Sequence, residues 1–269
     1  MENLYPFGRI MAMVAVLFLA ATACDTNDSD DTDLDLMPVN TVTTDGYTLS
    51  LFADRTLETG VNTLYWTVEK GGNDVPIQSF SVMPMMDMGE MQHSAPHDSP
   101  ILHEEDDDYY YHKMIFVMPS GEMGSWALNF EIETKDGNNI TGEMPLEVDA
   151  SWRLTSVKDA NDKIYFISWM DPYKPVSGNN KLNFMVHTRE NMMSFPAVDN
   201  LELIIYPYMD MGGGQGHSTD FNHPTGQGKG LYSGSINYSM SGVWTTSVRI
   251  VADNDTLPEA VFEYSVQAK

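Results

Sequence analysis

The chain has 269 residues and carries 39 acidic against 14 basic side chains, which gives a formal net charge of −25. Such an acidic surface repels nucleic-acid phosphates and anionic headgroups, so we expect no nucleic-acid partner. The length suffices for one large domain or two ordinary ones. A single cysteine excludes a disulfide framework within the chain.

The N-terminus has the pattern of an exported protein. An apolar run from Ile10 to Ala23 follows Arg9 and ends at Cys24. About 14 apolar residues are too few to span a bilayer, so we predict a signal peptide over residues 1–23. The small residues before Cys24 resemble a bacterial lipobox. This implies lipidation of Cys24 and anchoring to the outer membrane of the cell envelope, on its periplasmic or surface-exposed face. An ordinary secretory signal that contains a cysteine is the alternative.

An acidic segment follows the cysteine. Six aspartates lie between Asp25 and Asp35, among Asn, Ser and Thr. Low hydrophobicity with dense like charge disfavours a packed core, so we predict a disordered tether over residues 24–45. Acidic residues at this place also resemble the surface-export signal of Bacteroidetes lipoproteins.

The remainder alternates with period two in short runs rich in β-branched and aromatic residues. The runs of the first half are Tyr47–Phe52, Asn62–Val68, Ile77–Val82, Tyr110–Met118, Ser125–Ile132 and Ile140–Val148. Gly, Asn, Asp and Pro separate them, and no 3.6-residue apolar stripe is present. The pattern predicts an all-β fold with antiparallel strands at sandwich spacing.

The same order of features occurs twice. Thr59–Val68 aligns with Ser177–Val186 at an offset of 118 residues, and Trp126 aligns with Trp244 at the same offset. We therefore predict two tandem immunoglobulin-like antiparallel β-sandwich domains, over residues 46–149 and 150–269.

A Pro-x-Met-Asp-Met-Gly motif, followed by His-Ser, is also repeated. The copies are Pro84-Met85-Met86-Asp87-Met88-Gly89 with His93-Ser94, and Pro207-Tyr208-Met209-Asp210-Met211-Gly212 with His217-Ser218. Residues two apart on a strand share a face, so the two methionines of each Met-Asp-Met point together. Thioether and imidazole are soft ligands that select Cu(I). The predicted ligands are Met86, Met88 and His93 in one repeat and Met209, Met211 and His217 in the other, with Met118 and Met240 as fourth ligands.

Each repeat is similar to the YtkA-like and FixH-like domains of bacterial envelope proteins. The similarity rests on a Gly-x-Asn at the second strand, a Met-rich strand end and a late Gly-x-Trp. It implies an immunoglobulin-like fold and a link to copper handling in the envelope.

A second group of histidines lies near an acidic run. His97, His103 and His112 flank Glu104–Asp108, and His223 is the weaker counterpart in the second repeat. These side chains are secondary candidates for loose binding of Cu(II), Zn(II) or Ni(II). A solvated, mobile loop is the alternative.

No residue pattern indicates catalysis. The chain has neither a Gly-x-Ser-x-Gly elbow nor a His-Glu-x-x-His motif. We therefore expect a non-enzymatic lipoprotein that binds copper for chaperoning, sequestration or sensing, with a copper-handling envelope protein as its partner. The open alternative is a structural or partner-binding module whose Met-rich loops make contacts without metal, since methionine is also a flexible core filler.

Overall fold

The computed structural model describes residues 35–103, 109–252 and 255–269. Within these ranges every regular element is a β-strand. The strands of the first half are β1 (Met37–Thr44), β2 (Tyr47–Ala53), β3 (Gly60–Lys70), β4 (Asn73–Asp74), β5 (Ile77–Asp87), β6 (Gln92–His93), β7 (Ile101–Leu102), β8 (Tyr110–Phe116), β9 (Ser125–Thr134) and β10 (Asn139–Leu146). Those of the second half are β11 (Leu154–Lys158), β12 (Ile164–Asp171), β13 (Gly178–Thr188), β14 (Glu202–Gly212), β15 (Gln215–His217), β16 (Asp220–Gly228), β17 (Leu231–Tyr238), β18 (Gly242–Ala252), β19 (Asp255–Thr256) and β20 (Ala260–Val266).

Each half is a sandwich of two sheets. In the first, the strand orders are β1-β2-β3-β8-β7, with β4 beside β3, and β10-β9-β5-β6. In the second, they are β11-β12-β13-β17-β16 and β15-β14-β18-β19, with β20 also paired to β18. All these strand pairs are antiparallel. The predicted fold class, two tandem immunoglobulin-like β-sandwiches, is confirmed.

The predicted tether is wrong over its last part, because Met37–Thr44 is a strand. It pairs with β2 through a two-residue turn at Asp45-Gly46, where both residues have positive φ. Asp-Gly is a strong signal for such a turn. Val39 and Val42 pack against the first core, and this apolar burial outweighs the polar composition of the segment. The predicted signal peptide, Cys24 and residues 24–34 of the tether lie outside the described residues.

Each sandwich encloses its own apolar core. Period-two alternation puts one side chain in two between the sheets, as in β9, where Trp126, Leu128 and Phe130 are buried. In the second sandwich, Trp169 and Trp244 occupy the centre among aromatic rings. Four of the five tryptophans are almost fully buried, two in each core.

The Gly-x-Asn motif has a structural role that recurs in both halves. Asn62 accepts a hydrogen bond from the Glu58 N–H and donates to the carbonyl oxygens of Glu58 and Gly60. Asn180 makes the three equivalent bonds to Val176 and Gly178. The side-chain amide therefore closes the bend that precedes β3 in the first half and β13 in the second. This structural role is enough to explain why the motif is repeated.

The two sandwiches pack against each other, and residues Asp35–Lys269 form one compact unit. Ile115 and Phe166 are buried but belong to neither core, and each lines an opening at the junction between the sandwiches. The Ser94 N–H donates to the Met192 carbonyl across this junction, over 2.7 Å. No helix in the described part of the chain is long and apolar enough to cross a membrane.

A buried cation holds the segment between the sandwiches. The Arg153 guanidinium lies 2.7 Å from the Glu58 carboxylate and stacks over the Tyr173 ring, 3.9 Å from its centroid. It also donates to the Tyr173 carbonyl. Burial lowers the pKa of Arg153 below its usual value, although the Glu58 carboxylate opposes that shift. This one side chain thus connects the first sandwich to the second.

Candidate metal site

The first Met/His motif forms a β-hairpin, which we call hairpin 1 (Met86–His93). Met86 pairs with His93 across the two strands. The Asp87 carboxylate accepts a hydrogen bond from the Gly89 N–H over 2.8 Å, and Gly89 has a φ of 85°. The aspartate between the methionines is therefore a turn residue that needs the glycine after it.

The second motif forms the matching hairpin 2 (Met209–His217). Met209 pairs with His217, and the Asp210 carboxylate accepts from the Gly212 N–H over 2.8 Å. The extra glycines lengthen the turn without changing this pairing. The repeated Asp and Gly are thus explained by turn formation, which leaves the methionines and the histidine as the candidates for chemistry.

Both histidines have the same orientation. The Nδ1–H of His93 donates to the Ser94 carbonyl over 2.7 Å, and that of His217 donates to the Ser218 carbonyl over 2.9 Å. Each ring meets the tryptophan of its Gly-x-Trp motif edge to face, with centroids 5.4 Å apart in both halves. Because a carbonyl can only accept, the proton of the neutral ring lies on Nδ1, and Nε2 is the nitrogen left for a metal. That is the form in which imidazole binds metals.

The Gly-x-Trp motif accommodates the first methionine of each pair. A Cβ on Gly124 would lie 3.0 Å from the Met86 methyl and 2.4 Å from the Asp87 carbonyl oxygen. A Cβ on Gly242 would lie 2.2 Å from the Met209 methyl. Met86 is fully buried in the first core, and Met209 packs against the second. Met86 is therefore placed as a core residue, whereas Met209 is only partly buried.

Met118 and Met240 are held by their backbones. The indole N–H of Trp126 donates to the Met118 carbonyl over 2.8 Å, and that of Trp244 donates to the Met240 carbonyl over 3.2 Å. Tryptophan therefore fixes the chain at these positions. The Met118 side chain is partly buried against the first core, as is that of Met88, and Met240 is exposed.

Three of the predicted ligands of the first repeat line one cavity of about 310 Å³, which we call the junction cavity. They are Met88, His93 and Met118, and they are joined there by Met91 and Met192. The cavity therefore gathers four thioethers and one imidazole, contributed by both sandwiches. The complete lining is Met88, Met91, Gln92, His93, Val117, Met118, Ser156, Ile164, Phe166, Arg189, Met192 and Phe195.

The chemistry of this lining suits a soft monovalent cation. The Nε2 atom of His93 is buried and has no hydrogen-bond partner. An unpaired buried polar atom is costly and calls for an explanation such as a missing ion or water. The lining contains no carboxylate, so Ca²⁺ or Mg²⁺ would find few of the oxygen ligands they require. Arg189 repels any cation, and this repulsion is twice as large for a divalent ion as for a monovalent one.

The equivalent end of the second sandwich is open. Met211 is 61% exposed and Met240 is 43% exposed, while Met209 and His217 are partly buried. Hairpin 2 thus has the same internal geometry as hairpin 1, with its second methionine in solvent.

The secondary candidates do not assemble into a site. Both ring nitrogens of His112 are occupied, because Nε2 accepts from the Trp66 indole and Nδ1–H donates to the Asp98 carbonyl. Burial lowers the pKa of His112 to about 4. The prediction of His112 as a metal ligand is therefore wrong, since its nitrogens are used in the core.

The other three histidines have individual surroundings. His223 Nδ1 accepts from the Ile205 N–H, the His103 ring packs edge to face on Tyr111, and His97 Nδ1–H donates to the Ala95 carbonyl. Across the described ranges no three His, Cys, Asp or Glu side chains are grouped to hold a metal. The acidic run at 104–108 lies outside the described residues.

Met91 and Met192 are site residues that sequence reasoning missed. Met192 is an ordinary loop residue by pattern, and only the packing of the second sandwich on the first brings it to hairpin 1. No periodicity in the sequence carries that information.

Comparisons with known proteins find only distant structural neighbours. No protein-family model matches the chain, and no curated protein matches it. The S-layer protein SbsC, domains 5–6, is 14% identical with a TM-score of 0.31, over 87% of this chain and 98% of that one. The adhesin FdeC of Escherichia coli is 14% identical with a TM-score of 0.27, over 84% of this chain and 65% of that one. The adhesin InvE of Yersinia pseudotuberculosis is 13% identical with a TM-score of 0.25, over 84% and 60%. At these values the neighbours carry no information about function.

Proposed function

We propose that this protein binds Cu(I) in the junction cavity, through the sulfurs of Met88 and Met118 and Nε2 of His93. The observation that carries the proposal is the buried, unpartnered Nε2 of His93 in a cavity lined by thioethers. Met91 and Met192 are close enough to the same cavity to complete or exchange the coordination. A site with two or three thioether sulfurs and one imidazole favours the binding of soft Cu(I) over that of Zn²⁺.

The role that follows is the holding of copper, for chaperoning, sequestration or sensing, without catalysis. Met91 and Met192 line the cavity and are exposed in part. A copper-handling envelope protein would reach the ion from the side of the cavity where they lie. This assignment agrees with the resemblance to the YtkA-like and FixH-like domains.

Replacing Met88 and Met118 together with Leu tests the proposal, because Leu keeps volume and apolarity but removes both sulfurs. In a form that lacks residues 1–24, we expect this variant to retain about one Cu(I) fewer than the unaltered protein against a chromogenic Cu(I) chelator. The matched control replaces Met83 and Met123, which are exposed and line neither the junction cavity nor its rim. Equal copper retention by both double variants would refute the proposal.

A contact role without metal is the second candidate, favoured by hairpin 2. Met211, Met240 and Val243 are all exposed at this end of the second sandwich. A cluster of exposed apolar side chains marks an interaction surface more often than chance does. If the copper test fails, these residues are where a protein partner would bind.

For the location, we propose that Cys24 carries a lipid that anchors the protein in the cell envelope. The support is the apolar run before Cys24 and its small flanking residues. We expect Cys24→Ser to lose labelling by a radioactive fatty acid and to accumulate as an uncleaved or secreted form, because the thioether-linked lipid is the anchor of the mature protein. Thr22→Ser, which keeps a small residue, is the control. Full labelling of Cys24→Ser would contradict the anchor.

A further inference from the structure

A second opening lies at the same junction, on the other side of Phe195. We call it the junction groove, and its volume is about 1080 Å³. Phe195 lines both the groove and the junction cavity, and its ring is near that of His93. The groove is bounded by strand β8 and residues 96–101 of the first sandwich, and by β12, β13 and β17 of the second.

Two potential ligands stand side by side on β13. Met185 and His187 are two residues apart, and Val186 between them points into the second core. Successive side chains of a strand alternate between its faces, so Met185 and His187 share the outer face, and both line the groove. Neither residue belongs to the second core.

A third ligand comes from the neighbouring strand. Ser168 pairs with Met185, and the register of β12 shifts between Trp169 and Asp171, which makes Met170 the extra residue of a β-bulge. Bulges redirect side chains and are frequent beside functional sites. Diagonal neighbours on adjacent strands are about 7–8 Å apart, which long flexible side chains span. Met170 lines the groove together with Met185.

His187 is unusual among the histidines. Its side chain is 8% exposed, and its Nδ1 is buried without a hydrogen-bond partner. Burial lowers the pKa of His187 to about 4, so the ring is neutral at physiological pH. His97 lines the groove from the first sandwich, and because its Nδ1–H donates to the Ala95 carbonyl, Nε2 is the nitrogen left for a metal.

We propose that Met170, Met185 and His187, with His97 on the opposite wall, form a second site for a soft monovalent metal ion. The identity of the ion as Cu(I) rests on the proposed function, but the two sites share no ligand. Two thioethers with one or two imidazoles satisfy the low coordination number of Cu(I). Of the charged groups in the groove lining, Asp98 favours a cation, whereas Lys113 and Lys229 oppose it and penalise divalent ions more.

The arrangement gives the junction two compartments for one kind of ion. Phe195 separates them, and it is the side chain that would have to turn aside for an ion to pass from one to the other. The groove is the larger opening and the cavity is the smaller.

The test uses Ag(I), which has the ligand preference of Cu(I) and does not oxidise. The methyl groups of all methionines are labelled with ¹³C in the form that lacks residues 1–24, and their NMR signals are followed during titration. Assignment uses single Met→Leu variants, and Met144, which is buried in the first core, serves as the internal reference. We expect the Met170 and Met185 signals to shift and to saturate with about one equivalent of Ag(I) beyond that taken by the cavity.

Repeating the titration in the Met88→Leu, Met118→Leu variant separates this inference from the proposed function. Shifts at Met170 and Met185 in that variant support the groove site even if the cavity is unoccupied. The groove site alone is overturned if, in the unaltered protein, the Met88 and Met118 signals shift and the Met170 and Met185 signals do not. If none of these four methionine signals shifts, both the cavity site and the groove site are overturned. Replacing His187 with Phe should raise the Ag(I) concentration that gives half-maximal shifts of the Met170 and Met185 signals at least about tenfold.

Discussion

Replacing Arg153 with Met is expected to lower the free energy of unfolding by about 3 kcal/mol, because it leaves a mostly buried carboxylate without its partner. Glu58 is the carboxylate, and its side chain is only 19% exposed. The variant also loses the stacking of the guanidinium on Tyr173 and Trp152. Methionine retains most of the apolar volume, so the loss reports the guanidinium group, through its charge and its stacking together. Chemical denaturation of the form that lacks residues 1–24 measures it.

The matched control is Arg249→Met. Arg249 pairs with Glu259 over 3.4 Å, and both side chains are more than 40% exposed. An exposed pair of this kind contributes under about 1 kcal/mol, so little change is expected. In the Arg153→Met background, Glu58→Gln should restore part of the lost stability, since it removes the unpaired charge. If Arg153→Met is no less stable than Arg249→Met, the buried ion pair does not stabilise the junction.

Replacing Gly124 with Ala is expected to cost about 2–4 kcal/mol of unfolding free energy, through backbone strain and a steric clash together. Gly124 has a φ of 151°, and its new Cβ would lie 2.4 Å from the Asp87 carbonyl oxygen. Relief requires the end of β5 to move, so hairpin 1 should also be displaced. Thermal or chemical unfolding reports the first effect, and the NMR signals of the Met88 and Met118 methyls report the second.

Gly121→Ala is the control for the clash. Gly121 has a similar φ of 139°, but no atom lies within 4 Å of the Cβ it would gain. The Gly121→Ala variant should therefore lose only the part of the unfolding free energy that comes from backbone strain, about 1 kcal/mol. Equal losses for the two alanine variants would mean that the close approach of Gly124 to hairpin 1 is not needed.

The fold was largely predictable because its signals are local. Period-two alternation located most strands, and self-similarity located the second sandwich, since strand faces and repeats are written in neighbouring residues. The strand at Met37–Thr44 was missed because its composition is polar and only two valines pack on the core. The Asp45-Gly46 dipeptide is a local signal from which a hairpin could have been predicted there.

The candidate site was predictable only in part, for a physical reason. The repeated motif predicted that Met88, His93 and Met118 lie near one another, and they line one cavity, because strand pairing and the Gly-x-Trp turn are local features. It also included Met86, which the structure places in the core, because alternation alone cannot tell which same-face residue lies at the mouth of the sandwich. Met192 and the groove ligands depend on how one sandwich rests on the other, which no short sequence pattern encodes.

The most direct measurement of the central claim is a crystal structure of the form that lacks residues 1–24, loaded with one equivalent of Cu(I) under anaerobic conditions. Diffraction data collected above and below the copper absorption edge locate the ion by its anomalous signal. We expect a peak in the junction cavity within about 2.1 Å of Nε2 of His93, near the usual metal–imidazole distance, with the sulfurs of Met88 and Met118 as its other ligands. An empty cavity, with copper elsewhere or nowhere, would contradict the account.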